Sequence, residues 1–573
     1  MRYSKNKKYI FIFIAAVLLG LQANPICAED IYRFWNKEKA SGLNVVNDLK
    51  LGRGREWYVD AKTGNDETGD GQSLKYPFKT IGKASEKLSP GDTIIISAGL
   101  YRERLYIKKS GTEGNPIIIG PRGNGEVIID ASEKIGEWIK AGKNVYKTAY
   151  PSMPAAVVMD EEPLFPEFSL ASLSGGKWYF DKTNKFLYLY IVDDKGPAGH
   201  DIGIISNDSY QEAVNIHDAN NVTIYGLTVR FAGGCGVSIL GSNNMVKMCD
   251  IKYNGNIGVR IFSYGDIHST NNIIADNHVY HNFIRNWPRG RYKTGGWGAG
   301  AVANNSANSK FTGNIVHKNG GEGLLAYGPG QGTEIRNNIS YDNWSVNIYI
   351  DGQSDCVVDK NIIFCNDPNP GDLYNNEDKT PQDGKNLRRL RPEGVMTADE
   401  NSPATFKNAE ITNNTIISCR RGITHYSPVK DSGLKNVLIA NNTIILPDAK
   451  GQGEDYTGIR IPYNNGNNHD VILRNNIISG SHPDTYLLDM EGRPAMSNSE
   501  FNGLAFEGNA WHHLTNPKPF KIRNGRLSAE DIDFNKLQDK CKAQGRCPGE
   551  KFFLDSVSIN LEEKAGKLMP ENE

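Results

Sequence analysis

The sequence predicts an all-β solenoid, and three observations predict it. An Asn recurs just before short apolar strands at a countable period. A second strand in most repeats opens on a glycine. The composition, with 60 Gly, 26 Pro and a mean hydropathy of −0.50, is that of a turn-rich β protein rather than a helical one. Aligning Gly226, Asp250, Asn277, Asn314, Asn338, Asn361, Asn414, Asn442, Asn476 and Asn509 gives successive gaps of 24, 27, 37, 24, 23, 53, 28, 34 and 33. The short values correspond to one rung of a solenoid. An Asn repeated at one turn stacks its amide on the rungs above and below and satisfies buried backbone groups, so this ladder reads as scaffold.

The chain opens with a secretory signal over residues 1–28. It has a basic start (MRYSKNKK), an apolar run from Tyr9 to Leu21 and a small-residue end at Ile26-Cys27-Ala28. Cleavage is expected after Ala28, and the lead-in to Cys27 argues against a lipid anchor. These features predict a secreted or periplasmic protein, with no later run long enough to span a bilayer. Residues 29–56 form a polar lead-in. A net charge of −1 offers no global field for nucleic acid or an acidic membrane.

Residues 57–130 contain a strand at Trp57–Val59, a Gly/Asp-rich turn and an amphipathic helix from Ile81 to Leu88. A second strand follows at Ile94–Ser97. The text Tyr58-Val59-Asp60, Thr63-Gly64-Asn65-Asp66, Pro77–Ile81, Pro90–Ile94 and Ala98–Glu103 resembles the N-terminal cap of secreted right-handed parallel β-helix proteins of the pectate-lyase-like superfamily. The resemblance implies a right-handed parallel β-helix across about residues 57–515, capped by that helix. It says little about activity, because this fold hosts lyases, hydrolases, epimerases and adhesins.

Residues 131–205 interrupt the rhythm with short aromatic-rich strands, including Trp178–Asp181 and Leu187–Tyr190, which predict an inserted antiparallel β-sandwich. It reads equally as a structural flap or as the wall of a cleft. The coil resumes over 206–515, carrying two long insertions at 281–296 and 367–392, and a polar cap or tail with a helix at Ala529–Lys542 occupies 516–573. Long loops on a rigid scaffold commonly carry function. Removing Cys27 leaves seven cysteines, an odd number that reads as buried thiols, with a small disulfide expected only at Cys541–Cys547.

The Gly-led strands locate the chemistry. Alternation sends Val259/Ile261, Ala301/Ala303, Leu324/Ala326, Ile348/Ile350, Val395/Thr397, Ile423/His425 and Ile459/Ile461 into the coil. His425 is therefore a core histidine. The outward set places Tyr327, Asp351 and Tyr426 in one column and Arg260, Tyr349 and Arg460 in another. Aromatic faces suit pyranose rings, and Arg grips carboxylate or sulfate. With Trp297, these residues (Arg260, Tyr327, Tyr349, Tyr426 and Arg460) are the expected substrate contacts.

Asp351 is the leading catalytic candidate, with Glu322, Glu393 and Asp399 beside it and Glu400 next to Asp399. Glu322 and Glu393 hold the same place two rungs apart, about 9–10 Å between backbones, a spacing compatible with an inverting glycosidase. Hydrolysis needs one carboxyl protonated and one ionised. The expectation is a monomeric polysaccharide-degrading glycoside hydrolase that needs no cofactor or metal. The runner-up is a polysaccharide lyase, for which calcium and a base among Lys293, Arg289, Arg291, Arg388, Arg389 and Arg391 would enter. The third reading is a glycan-binding surface protein. No acidic cluster matches the calcium site of β-helix pectate lyases, nor the Asn–Glu–Glu site of the chondroitinase-B/alginate-lyase type. Neither a phosphate loop nor a dinucleotide fingerprint stands in a supporting context.

Overall fold

The computed structural model describes residues 53–286, 298–365, 391–400, 404–450, 455–462, 468–492, 503–524, 528–542 and 551–554, apart from 124, 168, 427, 430 and 431. Among them, three sheets of 13 strands each wind into a β-helix, each of twelve full rungs giving one strand to each sheet. One rung consists of Glu334–Arg336, Ile339–Tyr341 and Val346–Asp351. Rung stacks on rung in parallel; the exception within the three sheets is the last pair of one of them, Phe520–Asn524 against Ser528–Ile532, which is antiparallel. That strand occupies the start of the expected tail helix, which instead begins at Phe534.

The coil interior is a continuous aliphatic column, and the expected inward residues Ile261, Leu324, Ile348 and Val395 all belong to it. His425 lies there as well, buried against the Thr397 hydroxyl, which is 2.9 Å from its Nδ1; burial lowers the imidazole pKa to about 3. The neutral ring is an internal partner for Thr397.

The Asn ladder runs unbroken from Asn277 to Asn509. Each Asn from 277 through 476 donates from its backbone N–H and its Nδ2 to the Oδ1 of the next, as at Asn338 to Asn361 at 2.9 and 3.0 Å. The preceding residue adopts a left-handed backbone, φ 57° at Asn337 and 56° at Asn413. Asn tolerates that conformation best after Gly, which explains the Asn-Asn doublets of the sequence. In the two earlier rungs Asp250 pairs with His278 and Thr228 with Asp250, so Cys249 and Leu227 take the ladder position. The alignment expected at Asp250 and Gly226 is displaced by one residue.

A second ladder joins Asn254, Asn282, Asn319, Asn343 and Asn347. Its last member donates to Cys365 Sγ at 3.2 Å, and Cys365 is disulfide-bonded to Cys419. This bridge corrects the expectation of thiols throughout; Cys235, Cys249 and Cys356 are buried and free. Cys547 lies outside the described residues, and with it the expected Cys541–Cys547 pair.

The first coil is covered by a helix, Ile81–Ser85, shorter than the stretch to Leu88 that the pattern predicts. Thr80 caps it through Lys83 N–H, while the Glu103 carboxylate accepts from the Ile81 and Gly82 N–H groups, both at 2.9 Å. Residues 133–205 form two four-stranded antiparallel sheets around a separate core that includes Trp178, Phe180, Leu187 and Leu189. Ion pairs tie this insertion to the coil: Arg230 joins Asp130 and Glu161, and Arg102 joins Asp201.

Candidate active site

Five neighbouring strands of one sheet build the site: Ala299–Asn304, Glu322–Tyr327, Val346–Asp351, Glu393–Ala398 and Arg421–Tyr426. Their register puts Val302, Leu325, Tyr349, Met396 and Thr424 in one outward column and Asn304, Tyr327, Asp351, Ala398 and Tyr426 in the next. Arg260 and Arg460 continue the first column at either end.

The glycines shape this face. A Cβ on Gly323 would lie 2.4 Å from Asn347 O and 2.6 Å from Asn343 Nδ2, groups of the second ladder. The Gly323 Cα hydrogen therefore faces the interior, next to the inward Leu324, and two successive residues point in. The residue before the glycine is thereby turned to the outside. Ala299 and Val346, which hold that place in their rungs, pack with Val302, Leu325, Tyr349 and Ala398 in one outer apolar cluster. Glu322 and Glu393 share this column through Ala299 and Val346. The outer face thus has an apolar floor, with Glu322 along one side and Asp351 along the other.

Glu322 is 4% exposed, and its Oε2 has no hydrogen-bond partner among the described residues. Burial, with the charges of Glu400 and Asp351 behind it, pushes its carboxyl up to about 8. Asp351 is 1% exposed, and its Oδ1 accepts from the Glu400 N–H at 2.9 Å. Burial raises it to about 6, opposed by that hydrogen bond and assisted by the charges of Glu400 and Asp399. The Tyr349 hydroxyl donates to Glu400 Oε1 at 2.7 Å; burial and the neighbouring carboxylates hold the phenol far above its ordinary range. Tyr349, Glu400 and Asp351 thus form one linked unit. Glu400 is the member whose part the sequence left unassigned, although its place after Asp399 was a signal.

The remaining candidates separate. Glu393 is buried and bonded to both Arg420 and Arg421, at 2.6 Å to the latter, so it is an ion-paired wall residue. Asp399 is buried with its carboxyl raised by desolvation; its Oδ1 accepts from the Thr405 and Phe406 N–H groups at 2.9 Å. Tyr327 and Tyr426 are 36% and 49% exposed and present their rings to solvent on either side of Asp351. Tyr349 is buried, so it is a floor residue and not a stacking surface. Arg260 is bonded to Glu212 and lies over the Phe262 ring, while Arg460 faces Asp489 at 3.7 Å. Trp297 and most of both long insertions lie outside the described residues. A cavity of about 490 Å³ lined by Arg102, Lys134, His200 and Asp201 sits at the foot of the inserted sandwich, away from these carboxylates. Among the described residues no group of three or more His, Cys, Asp or Glu is arranged to hold a metal ion.

The family model described as right handed beta helix region matches residues 202–338 and 292–453, in keeping with the architecture above. The curated relative found is an uncharacterized protein, YwoF, of Bacillus subtilis (strain 168), 35% identical over 124 residues; the matched stretch is 22% of each chain. Among solved structures, the complex structure of XylC with xylose is similar with a TM-score of 0.54 and 15% identity, covering 80% of this chain and 83% of that one. A structure named glycoside hydrolase follows at a TM-score of 0.49 and 12% identity, covering 80% and 96%. The pectate lyase Pel9A is matched at 0.36 and 13%, covering 85% and 81%. The family match and the likeness to XylC agree with the fold described above, a right-handed parallel β-helix. No helix among the described residues is long and apolar enough to cross a membrane.

Proposed function

We propose that this protein is a polysaccharide-degrading glycoside hydrolase, in which Glu322 is the general acid and Asp351 the ionised carboxylate acting on the sugar or on water. The observation that carries this reading is the contrast between two buried carboxyls on one face. At neutral pH, Glu322, pushed to about 8, keeps its proton, while Asp351, at about 6, has lost its own. Glycoside cleavage requires a proton delivered to the leaving oxygen and a negative charge beside the developing oxocarbenium ion. Glu400, held by Tyr349, orients Asp351 through its N–H. Tyr327 and Tyr426 offer exposed faces for sugar rings.

Similarity in fold to the xylose complex of XylC supports a sugar-binding face without identifying the sugar. The N-terminal signal and the Cys365–Cys419 bridge suit a secreted or periplasmic location, where disulfides persist. Incubation of the purified protein with neutral and uronate glycans tests the reaction class. New reducing ends without ultraviolet-absorbing unsaturated ends are expected. Unsaturated ends would replace the hydrolase reading with a lyase, and glycan affinity without any cleavage would leave a binding protein.

A further inference from the structure

We infer that the sugar units seated between Glu322 and Asp351 are uncharged, so that the substrate is a neutral glycan and not a uronate or sulfated one. This rests on the glycoside hydrolase reading of the same face. Four carboxyl groups belong to this face: Glu322 on one side and, on the other, Asp351, Glu400, whose N–H donates to Asp351 Oδ1 at 2.9 Å, and Asp399 next to it in the chain. They sense one another, since Glu400 and Asp351 act on Glu322, and Glu400 and Asp399 act on Asp351.

The described cations of this face are engaged elsewhere. Arg420 and Arg421 are both held by Glu393. Arg260 is paired with Glu212 and Arg460 with Asp489. The register places each of those two three rungs from Tyr349, about 14 Å away. Lys435 acts on Asp399, from the flanking sheet. Arg391 is turned to the carbonyls of Cys365 and Ser418.

A substrate carboxylate or sulfate needs a cation or an Arg fork opposite it. Among the described residues it would meet Asp351 and Glu400 instead, in a site where burial weakens screening. The floor between them, Val302, Leu325, Val346 and Met396, is apolar and suits the C–H face of a pyranose ring. A negative group on the sugar is therefore expected to lower kcat/KM by about 100-fold.

Matched polymers test this whatever the linkage. The full-length mature protein is incubated with polygalacturonate, alginate and glucuronoxylan, each beside its own carboxyl-reduced form, and with neutral xylan, galactan and β-glucan. Reducing ends and unsaturated ends are measured, and the same polymers are cast into affinity gels. Release of reducing ends from neutral or carboxyl-reduced polymers, at least about 100-fold faster than from an acidic counterpart, is the expected result. Equal or faster release of reducing ends from the acidic form overturns the inference and leaves hydrolysis standing. Unsaturated ends overturn both, because β-elimination draws on the uronate carboxylate. If nothing is cut, hydrolysis falls and the gels decide: retardation by neutral polymers alone upholds the uncharged ligand, whereas retardation by acidic ones, or by none, removes it.

Discussion

Asn338 and Glu322 are both buried, the first inside the coil and the second on its outer face, and their surroundings treat them in opposite ways. Asn338 donates to Asn361, to Phe311 O and to Arg336 O, and accepts from Asn314 twice. Glu322 keeps an unpartnered Oε2 and two carboxylate neighbours that raise its proton affinity. The inner ladder satisfies its polar groups, because an orphan there would only cost stability. The outer face tolerates that cost at Glu322, where burial and the neighbouring carboxylates push the carboxyl well above its ordinary range.

The largest effects should come from breaking the outer arrangement. Glu322→Gln and Asp351→Asn are each expected to lower kcat by about three orders of magnitude while leaving the circular dichroism spectrum unchanged. Turnover near that of the wild type in either variant would remove that residue from the mechanism. Glu322→Gln should also change the pH dependence of stability. With the folded carboxyl at about 8 against an ordinary 4.5, the native state holds more protons than the unfolded one between those values. Wild-type stability therefore falls as pH rises through that window, and the Gln variant should lose this slope in thermal melts.

Reducing the Cys365–Cys419 bridge, which closes a separation of 54 residues, is expected to cost about 4 kcal/mol in denaturant unfolding by loop entropy. An unchanged midpoint under reductant would mean that the second ladder holds those rungs without it. Asn338→Ala should destabilise by about 3 kcal/mol or more, since it orphans several buried groups at once. The contrast with Glu322→Gln, which should not destabilise at neutral pH because it removes the cost of the raised carboxyl, is the sharpest form of the inside–outside comparison. Tyr327→Ala and Tyr426→Ala are expected to have the smallest effect, raising KM about fivefold with kcat kept, near 1 kcal/mol each. A fall in kcat alone would place these rings in the chemistry.

Much of the scaffold was legible, because parallel rungs repeat the same demands at a short period. The Asn doublets, the aliphatic inward pairs and the two outward columns follow from counting alone. The second ladder was also written in the chain, five residues after the first at Asn282, Asn319 and Asn343, but no strand-leading pattern marks it. The placement of Glu322 was harder. Strict alternation from Leu324 would send it inward; only the crowding at Gly323 turns it out, and that depends on Asn343 and Asn347 of another rung. Glu393 looked equivalent to Glu322 by position and differs because Arg420 and Arg421 reach it from the next rung. Contacts between rungs, which separate an ion-paired carboxylate from an unpaired one, leave no local periodicity to read.

The protonation state of Glu322 bears most directly on this account. Infrared difference spectra between the wild type and Glu322→Gln, recorded across pH, isolate its carboxyl stretch. A protonated band that persists at pH 7 and disappears with a midpoint of about 8 is the predicted result. A Glu322 already ionised at pH 5–6, as an ordinary glutamate would be, would contradict it.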